Sequence, residues 1–397
     1  MLVGFSVKIK SNKQDSMILY GIFAAVLVAM VAFQFLSDTW DFKPAKAHST
    51  ATMAAVVYRE HGDPSVLRFE TTFPRPVPRS NQYLIEVKAS ALNPVDFKMM
   101  RSRSVPQFLL PLPKVPGADL AGVIIEVPEG SSNKFKVGDR VAAMMPILSK
   151  WGSNADYAVV DERFLAKMGD NTDFDTAAAV PLAALTVYHK FQSLQQKDSE
   201  NKGKKLLVHA GAGGVGSFAI QWGKLLGMYV ATTASAQKAD ILKELGADLV
   251  IDYKAQNFQD VCQDYDVVLD PMSWLYEEAS LSVLKPTGHY LNVPSSDWGL
   301  QNGKEITNGF LTFKNYVTSK VYNLLRPGST PKYSLNSVSP NGEALQVIMD
   351  LLDKGTLRAL VDRKFHLSDA SEAYHYLEAG HATGKVVIQH GPKQSQE

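Results

Sequence analysis

The run Gly211-Ala212-Gly213-Gly214-Val215-Gly216 combines residue types and a spacing that imply chemistry. It follows directly on KKLLVHA (204–210), an apolar run that reads as a buried strand, and a helix begins inside it. This is G-x-G-x-x-G in the strand–turn–helix setting that dinucleotide binding requires. An early glycine permits the tight turn, a middle one lets the backbone approach a pyrophosphate, and Gly216 lets the helix pack on the sheet. Unpaired N–H groups at the positive end of that helix attract phosphate. Gly211, Gly213, Gly214, Val215 and Gly216 are therefore the expected backbone contacts of a dinucleotide. A glycine turn of purely steric origin is the alternative, and further strand–helix alternations along the chain weigh against it.

The choice of dinucleotide falls about 20 residues later, where an NAD site carries Asp or Glu to hold the ribose 2′-hydroxyl. Here the second strand ends Thr232-Thr233-Ala234-Ser235-Ala236-Gln237-Lys238, with no carboxylate before Asp240. Ser235 can donate to a 2′-phosphate, Lys238 supplies positive charge, and Tyr253, ending the next strand, can close the other side of the adenosine site. The expected cofactor is NADPH. The plainer reading makes Ser235 a helix cap and Lys238 a solvated lysine.

The elements that must position these residues are legible as periodicity. From Met53 to about Lys167, short β-rich runs (AAVVY, YLIEVKASAL, GVIIEV, RVAAMM, DYAVV) are separated by Gly, Pro and Asp. From about Asp175, strand-like and helix-like segments alternate, which predicts a parallel sheet covered on both faces. After about Gly328 come two helical patterns, EALQVIMDLLDKG and SDASEAYHYLEAG, and a final strand, KVVIQ.

Composition bounds the function. The 397 residues carry 41 Lys+Arg against 40 Asp+Glu, a net charge of +1, so no basic excess attracts nucleic acid. Cys262 is the one cysteine, which excludes an intramolecular disulfide framework and any all-cysteine zinc cluster. At the N-terminus, residues 17–36 (MILYGIFAAVLVAMVAFQFL) contain no charge and would form a helix about 30 Å long, the thickness of a bilayer core. The expectation is a single-pass anchor that contacts the lipid bilayer. A cleaved signal peptide is the rival, since Ala45-Lys46-Ala47 resembles a cleavage site. The lysine balance around the span leans weakly toward a cytoplasmic N-terminus, but no N-x-Ser/Thr acceptor occurs, so the body is expected to face the cytoplasm.

Several blocks together resemble the medium-chain dehydrogenase/reductase superfamily, and within it the zinc-free quinone oxidoreductases. They are ALNPVDFK (91–98), PGADLAGVIIEV (116–127), FKVGDRVAAM (135–144), AAVPLAALTVYH (178–189), LLVHAGAGGVG (206–216), LKELGADLVIDYK (242–254) and GHATGKVVI (380–388). The nearest branch in look is that of the mitochondrial reticulon-interacting reductase and the chloroplast-envelope quinone oxidoreductases. The resemblance implies an α/β fold: a GroES-like β-rich catalytic domain made from both chain ends, around an inserted Rossmann doubly wound parallel sheet. The expected divisions are an N-terminal segment with the transmembrane helix (1–52), the first part of the catalytic domain (53–175), the NADP-binding domain (176–323) and the returning catalytic part (324–397). The implied activity is NADPH-dependent reduction of quinones or α,β-unsaturated carbonyls. The same scaffold supports a 2-enoyl thioester reductase, and a non-catalytic NADPH-binding scaffold protein at a membrane is the non-enzyme alternative. A homodimer is left open, and residues 299–342 have no assignment.

Zinc-dependent members of the superfamily place a Cys at or near Asn93 and a His in the block that here reads Gly117-Ala118-Asp119. Lacking those ligands, this chain is expected to work without metal. By resemblance, Asn93, Asp96 and Lys98 line the catalytic cleft: Asn93 as an N–H donor to a carbonyl, Asp96 as an orienting group, Lys98 as an electrophile or proton donor. Thr186 matches a position near the nicotinamide, and Asn292 and Val293 should offer backbone groups to its carboxamide. A turn, a helix cap and a surface charge are the plainer readings of Asn93, Asp96 and Lys98.

Overall fold

The computed structural model describes residues 51–101, 111–129, 134–195, 201–272, 275–293, 328, 330–334 and 338–392. The chain divides into two units, Met1–Pro44 and Ala45–Glu397, and every described residue belongs to the second.

The N-terminal half supplies β1 (Thr52–Val57), β2 (Arg68–Pro74), β3 (Gln82–Leu92), α1 (Pro94–Met100), β4 (Asp119–Glu126), β5 (Arg140–Met144), β6 (Tyr157–Asp161), β7 (Leu165–Lys167), α2 (Phe174–Ala178) and α3 (Pro181–Gln195). The long strand β3 pairs antiparallel with β4 and with β6. Then follow β8 (Lys205–Val208), α4 (Gly214–Leu225), β9 (Tyr229–Ala234), α5 (Ala239–Glu244), β10 (Leu249–Asp252), β11 (Tyr265–Asp270), α6 (Glu277–Ser282), β12 (Leu284–Asn292) and β13 (Lys332–Ser334). These six strands form one sheet in the order β10-β9-β8-β11-β12-β13, with every pairing parallel. The order reverses between β8 and β11. The carboxyl ends of the strands at such a reversal are the place where sheets of this kind take ligands.

The chain ends with α7 (Gly342–Asp353), β14 (Val361–His366), α8 (Ala370–Glu378) and β15 (Lys385–Gln389). Strand β15 pairs antiparallel with β3, so the C-terminus completes the sheet begun by the N-terminal half. Helix α7 shows why these segments fold as they do. Asn341 caps it by accepting the Ala344 N–H at 2.9 Å. Leu345, Ile348, Met349 and Leu352 then fall on one face and are buried, each stabilising by roughly 1.5–3 kcal/mol. The largest apolar cluster runs from Ala89 and Ala121 of the mixed sheet through α3 to Val208 and Phe218 beside the parallel sheet.

Two local differences from the sequence reading concern the parallel sheet. Its sixth strand, β13, lies beyond residue 323 and is three residues long, in a stretch too polar to show a strand pattern. Within the stretch read as alternating strand and helix, α6 has only six residues, because β12 starts at Leu284.

The anchor expected over 17–36 lies outside the described residues. Among the described residues no helix is long and apolar enough to cross a membrane. The longest, α3, has 15 residues, about 22 Å of helix against the roughly 30 Å of a bilayer core. The expected localisation, a membrane-anchored body facing the cytoplasm, is corrected accordingly: the described residues present no span to hold it at a bilayer.

Candidate active site

The glycine turn lies at the carboxyl end of β8, next to the reversal in strand order. Its left-handed residue is not a glycine but Ala210, with φ of 49°. The glycines are required by close approach instead. A Cβ on Gly211 would fall 2.0 Å from Thr232 Oγ1, and one on Gly216 would fall 2.3 Å from the Ala210 carbonyl oxygen. At Gly213 a Cβ would meet only that carbonyl, at 3.3 Å. Gly213 is also the N-cap of α4 and has no side chain to spend on the helix end. The first N–H groups of a 12-residue helix are thus left without a side-chain cap, an arrangement that fits an anion.

Ser235 follows β9 and precedes a short 3-10 turn, and its hydroxyl makes no capping bond to that turn. The Lys238 ammonium hydrogen-bonds to the hydroxyl of Thr383, on the turn before β15. Tyr253 donates its N–H to the Ala234 carbonyl at 3.2 Å, which brings it beside Ser235 with its side chain 54% exposed. Tyr253 borders a cleft of about 450 Å³ whose wall includes Thr233, Phe258 and Tyr276. Behind the wall, His209 is held by Thr233 Oγ1 at 3.3 Å and Ser280 Oγ at 2.9 Å and stacks on Tyr276. Burial pushes its imidazole down to about 3, so it is neutral.

Asn93, the N-cap of α1, belongs to a buried polar junction. Its backbone N–H donates to Asp96 Oδ2 at 2.8 Å, closing the first turn of α1. Its carboxamide nitrogen donates to Asp119 Oδ2 at 2.9 Å and to the Ala91 carbonyl at 3.4 Å. Its carboxamide oxygen accepts from the Lys385 ammonium. A carboxylate on one side and an ammonium on the other fix which way the amide faces. Lys385 also pairs with Asp119 at 3.0 Å, with side chains 5% and 0% exposed. Asp119 Oδ1 accepts the Leu182 N–H at 2.8 Å, at the start of α3.

This junction touches the glycine turn. Gly384 donates its N–H to the Ala212 carbonyl at 2.7 Å, and a Cβ on Gly214 would fall 2.9 Å from Lys385 Cδ. The amide and the ion pair therefore stand where β3, β4, β15, α3 and α4 meet.

Asp96 is buried beneath the junction, and its carboxyl is pushed up to about 7. Burial is the main cause. The Asn93 N–H opposes it, the charge of Asp119 adds to it, and Lys385 and Lys114 oppose it. Lys114, itself buried, is pushed down to about 8 by burial while donating to the carbonyls of Ile147, at 3.1 Å, and Ser149. The Tyr58 hydroxyl is raised by burial and by Asp96, and it has no hydrogen-bond partner among the described residues.

The other expected site residues fall as follows. Lys98 is half-buried, two residues beyond Asp96 on α1. Thr186 is buried on α3 and donates its hydroxyl to the Leu182 carbonyl at 2.8 Å. Asn292 is buried at the carboxyl end of β12, opposite Asp270. Val293 donates its N–H to the Asp270 carbonyl at 2.9 Å, so the backbone group it has left to offer a ligand is its own carbonyl.

Sequence reasoning passed over Asp119 as a functional residue, and Lys385 and Lys114 altogether. The block containing Lys385 carried the resemblance, but nothing local distinguishes a lysine before VVIQ from a surface charge.

Two family models match the chain: the alcohol dehydrogenase GroES-like domain over residues 79–170 and the zinc-binding dehydrogenase over residues 245–388. The chain is 35% identical over 349 residues to 2-methylene-furan-3-one reductase of Solanum lycopersicum, covering 85% of this chain and 79% of that one. It is 35% identical over 354 residues to the chloroplastic NADPH-dependent alkenal/one oxidoreductase of Arabidopsis thaliana, covering 87% and 81%. The solved structure of the quinone oxidoreductase from Coxiella burnetii superposes with a TM-score of 0.72 at 30% identity, covering 85% of this chain and 99% of that one. The Arabidopsis relative is named for a chloroplast, which likewise gives no support to a cytoplasm-facing membrane protein.

One model is named for zinc, and the residues do not fit that ion. Zinc requires thiolate, imidazole or carboxylate donors that converge. The matching places hold Asn93 and Ala118, and the Lys385 ammonium already stands against Asn93 Oδ1 and Asp119 Oδ2. A second cation beside that ammonium would be repelled at contact distance. Among the described residues, no three His, Cys, Asp or Glu side chains are grouped to hold a metal.

Proposed function

The chain belongs to the medium-chain dehydrogenase/reductase superfamily, and from that premise we propose that it is an NADPH-dependent oxidoreductase that reduces quinones or α,β-unsaturated carbonyls without a metal. The observation that carries the proposal is the uncapped glycine turn, Gly211–Gly216, lying directly against the buried Asn93–Asp119–Lys385 junction. Bound NADPH supplies the hydride. The protein's part is to hold the dinucleotide, orient the acceptor and keep water out.

The start of α4 takes the pyrophosphate. Ser235, Lys238 and Tyr253 surround the position of a 2′-phosphate, and no carboxylate before Asp240 repels it. The aromatic-walled cleft beside Tyr253 suits a flat base. Asn93, Asp96 and Lys98 on α1, with Thr186 on α3, form the acceptor side, and Asn292 and Val293 lie at the end of β12 where the nicotinamide carboxamide would reach. The relatives named above act, by name, on furanones, alkenals, enones and quinones, which are acceptors of this kind.

The test is NADPH oxidation by the purified full-length chain against panels of quinones, enals and enones, and enoyl thioesters. Turnover of a quinone or an enone, with NADPH preferred over NADH, is expected. Turnover confined to enoyl thioesters would reassign the substrate, and NADPH binding with no oxidation by any panel would refute the enzyme.

A further inference from the structure

At the junction described above, the Asn93 amide has no hydrogen left for a substrate. One goes to Asp119 Oδ2 at 2.9 Å and the other is turned to the Ala91 carbonyl at 3.4 Å. Asp119 has no hydrogen to donate and accepts from Leu182 on one oxygen and from Asn93 and Lys385 on the other. The donor with capacity to spare is Lys385. An ammonium carries three N–H donors. Two are spent, on Asn93 Oδ1 and Asp119 Oδ2, and the third has no acceptor among the described residues. The residue is 4% exposed, and a charged donor buried with an unmade bond is costly. Its stem lies against Gly214, the first residue of the helix at the dinucleotide turn.

We propose that Lys385 is a catalytic residue whose third ammonium hydrogen meets the carbonyl oxygen of the acceptor and stabilises the negative charge that gathers there. The proposal rests on the hydride-transfer reading given above. As a hydride and its electron pair leave the dihydronicotinamide for the β-carbon of an enone, the carbon–carbon π pair shifts toward the carbonyl and leaves an enolate oxygen. NADPH becomes NADP⁺. The enolate then takes a proton from solvent at its α-carbon, and Lys385 keeps its own. A preformed cation at such an oxygen needs no reorganisation when the charge appears.

The test compares Lys385→Met, Lys385→Arg and the charge-neutral pair Asp119→Asn/Lys385→Met with the unmodified full-length chain. Melting temperature, NADPH affinity and turnover of an enone are read for each. A fourth readout uses para-nitrophenol with NADP⁺ present, since its phenolate mimics the enolate oxygen and is coloured. Lys385→Met is expected to lose about 100-fold or more in kcat while binding NADPH as before. Lys385→Arg should restore most of that loss. The neutral pair should regain the melting temperature without regaining turnover. The unmodified chain should bind the phenolate form below the pH at which it appears in water, and Lys385→Met should not.

A neutral pair that turns over like the unmodified chain would overturn the proposal, because the ammonium's role would then be structural. A loss confined to NADPH affinity would overturn it as well, placing the ammonium on the cofactor. If none of the quinones, enones or enoyl thioesters makes the unmodified chain oxidise NADPH, the proposed function fails, and the phenolate signature alone decides for or against Lys385.

Discussion

Asp96→Asn should make the protein more stable as pH rises relative to the unmodified chain. In the folded protein the Asp96 carboxyl is pushed from 3.8 up to about 7, chiefly because it is buried in the first turn of α1 with one backbone N–H to accept. The negative charge of Asp119 adds to the effect, and the Asn93 N–H, Lys385 and Lys114 oppose it. Between those two pH values the folded state holds a proton that the unfolded chain has released. Stability therefore drains away as pH climbs through this window, and above it the loss is complete. At ~1.4 kcal/mol per pH unit, the whole loss is about 4 kcal/mol. Asparagine stays neutral throughout and can still accept the Asn93 N–H through its carboxamide oxygen. Urea unfolding of both proteins at steps between about pH 4 and about pH 8 isolates the effect, since other titrating groups cancel in the difference. The two should unfold alike at the acid end, and the variant should pull ahead by about 4 kcal/mol at the alkaline end. A gap that does not change with pH, or one that moves the other way, would refute a buried, proton-holding Asp96.

Four further outcomes are expected. Gly216→Ala should cost about 1–3 kcal/mol in unfolding free energy, because its methyl would fall 2.3 Å from a backbone oxygen that cannot swing aside; wild-type stability in that variant would contradict the packing assigned to the turn. Ser235→Asp should reverse the preference from NADPH to NADH by setting a carboxylate against the 2′-phosphate, and Lys238→Ala should weaken NADPH while leaving NADH affinity largely alone; both are read from titrations with the two cofactors. Lys385→Met should lower stability by about 3–5 kcal/mol by leaving the Asp119 carboxylate buried and unpaired, as chemical denaturation would show.

The fold around the glycine turn was legible in the sequence. The glycine turn, the absence of a carboxylate before Asp240 and the alternation of strand and helix are local signals, set by turn chemistry and by the two side-chain periods. The parallel sheet and the helix that begins at Gly214 follow from them. The buried junction at Asn93 was not legible in that way. Lys385 meets Asn93 across 292 residues of sequence and Asp119 across 266, and Lys238 reaches Thr383 across 145. Beside the turn, the left-handed position fell to Ala210, and Gly211 stands where Thr232 crowds the backbone. A lysine in a short motif near a chain end is an ordinary surface charge until β15 pairs with β3 and carries it into the core. Burial turns it into a paired cation with one donor to spare, and burial is a property of the packed molecule that no short stretch of sequence contains.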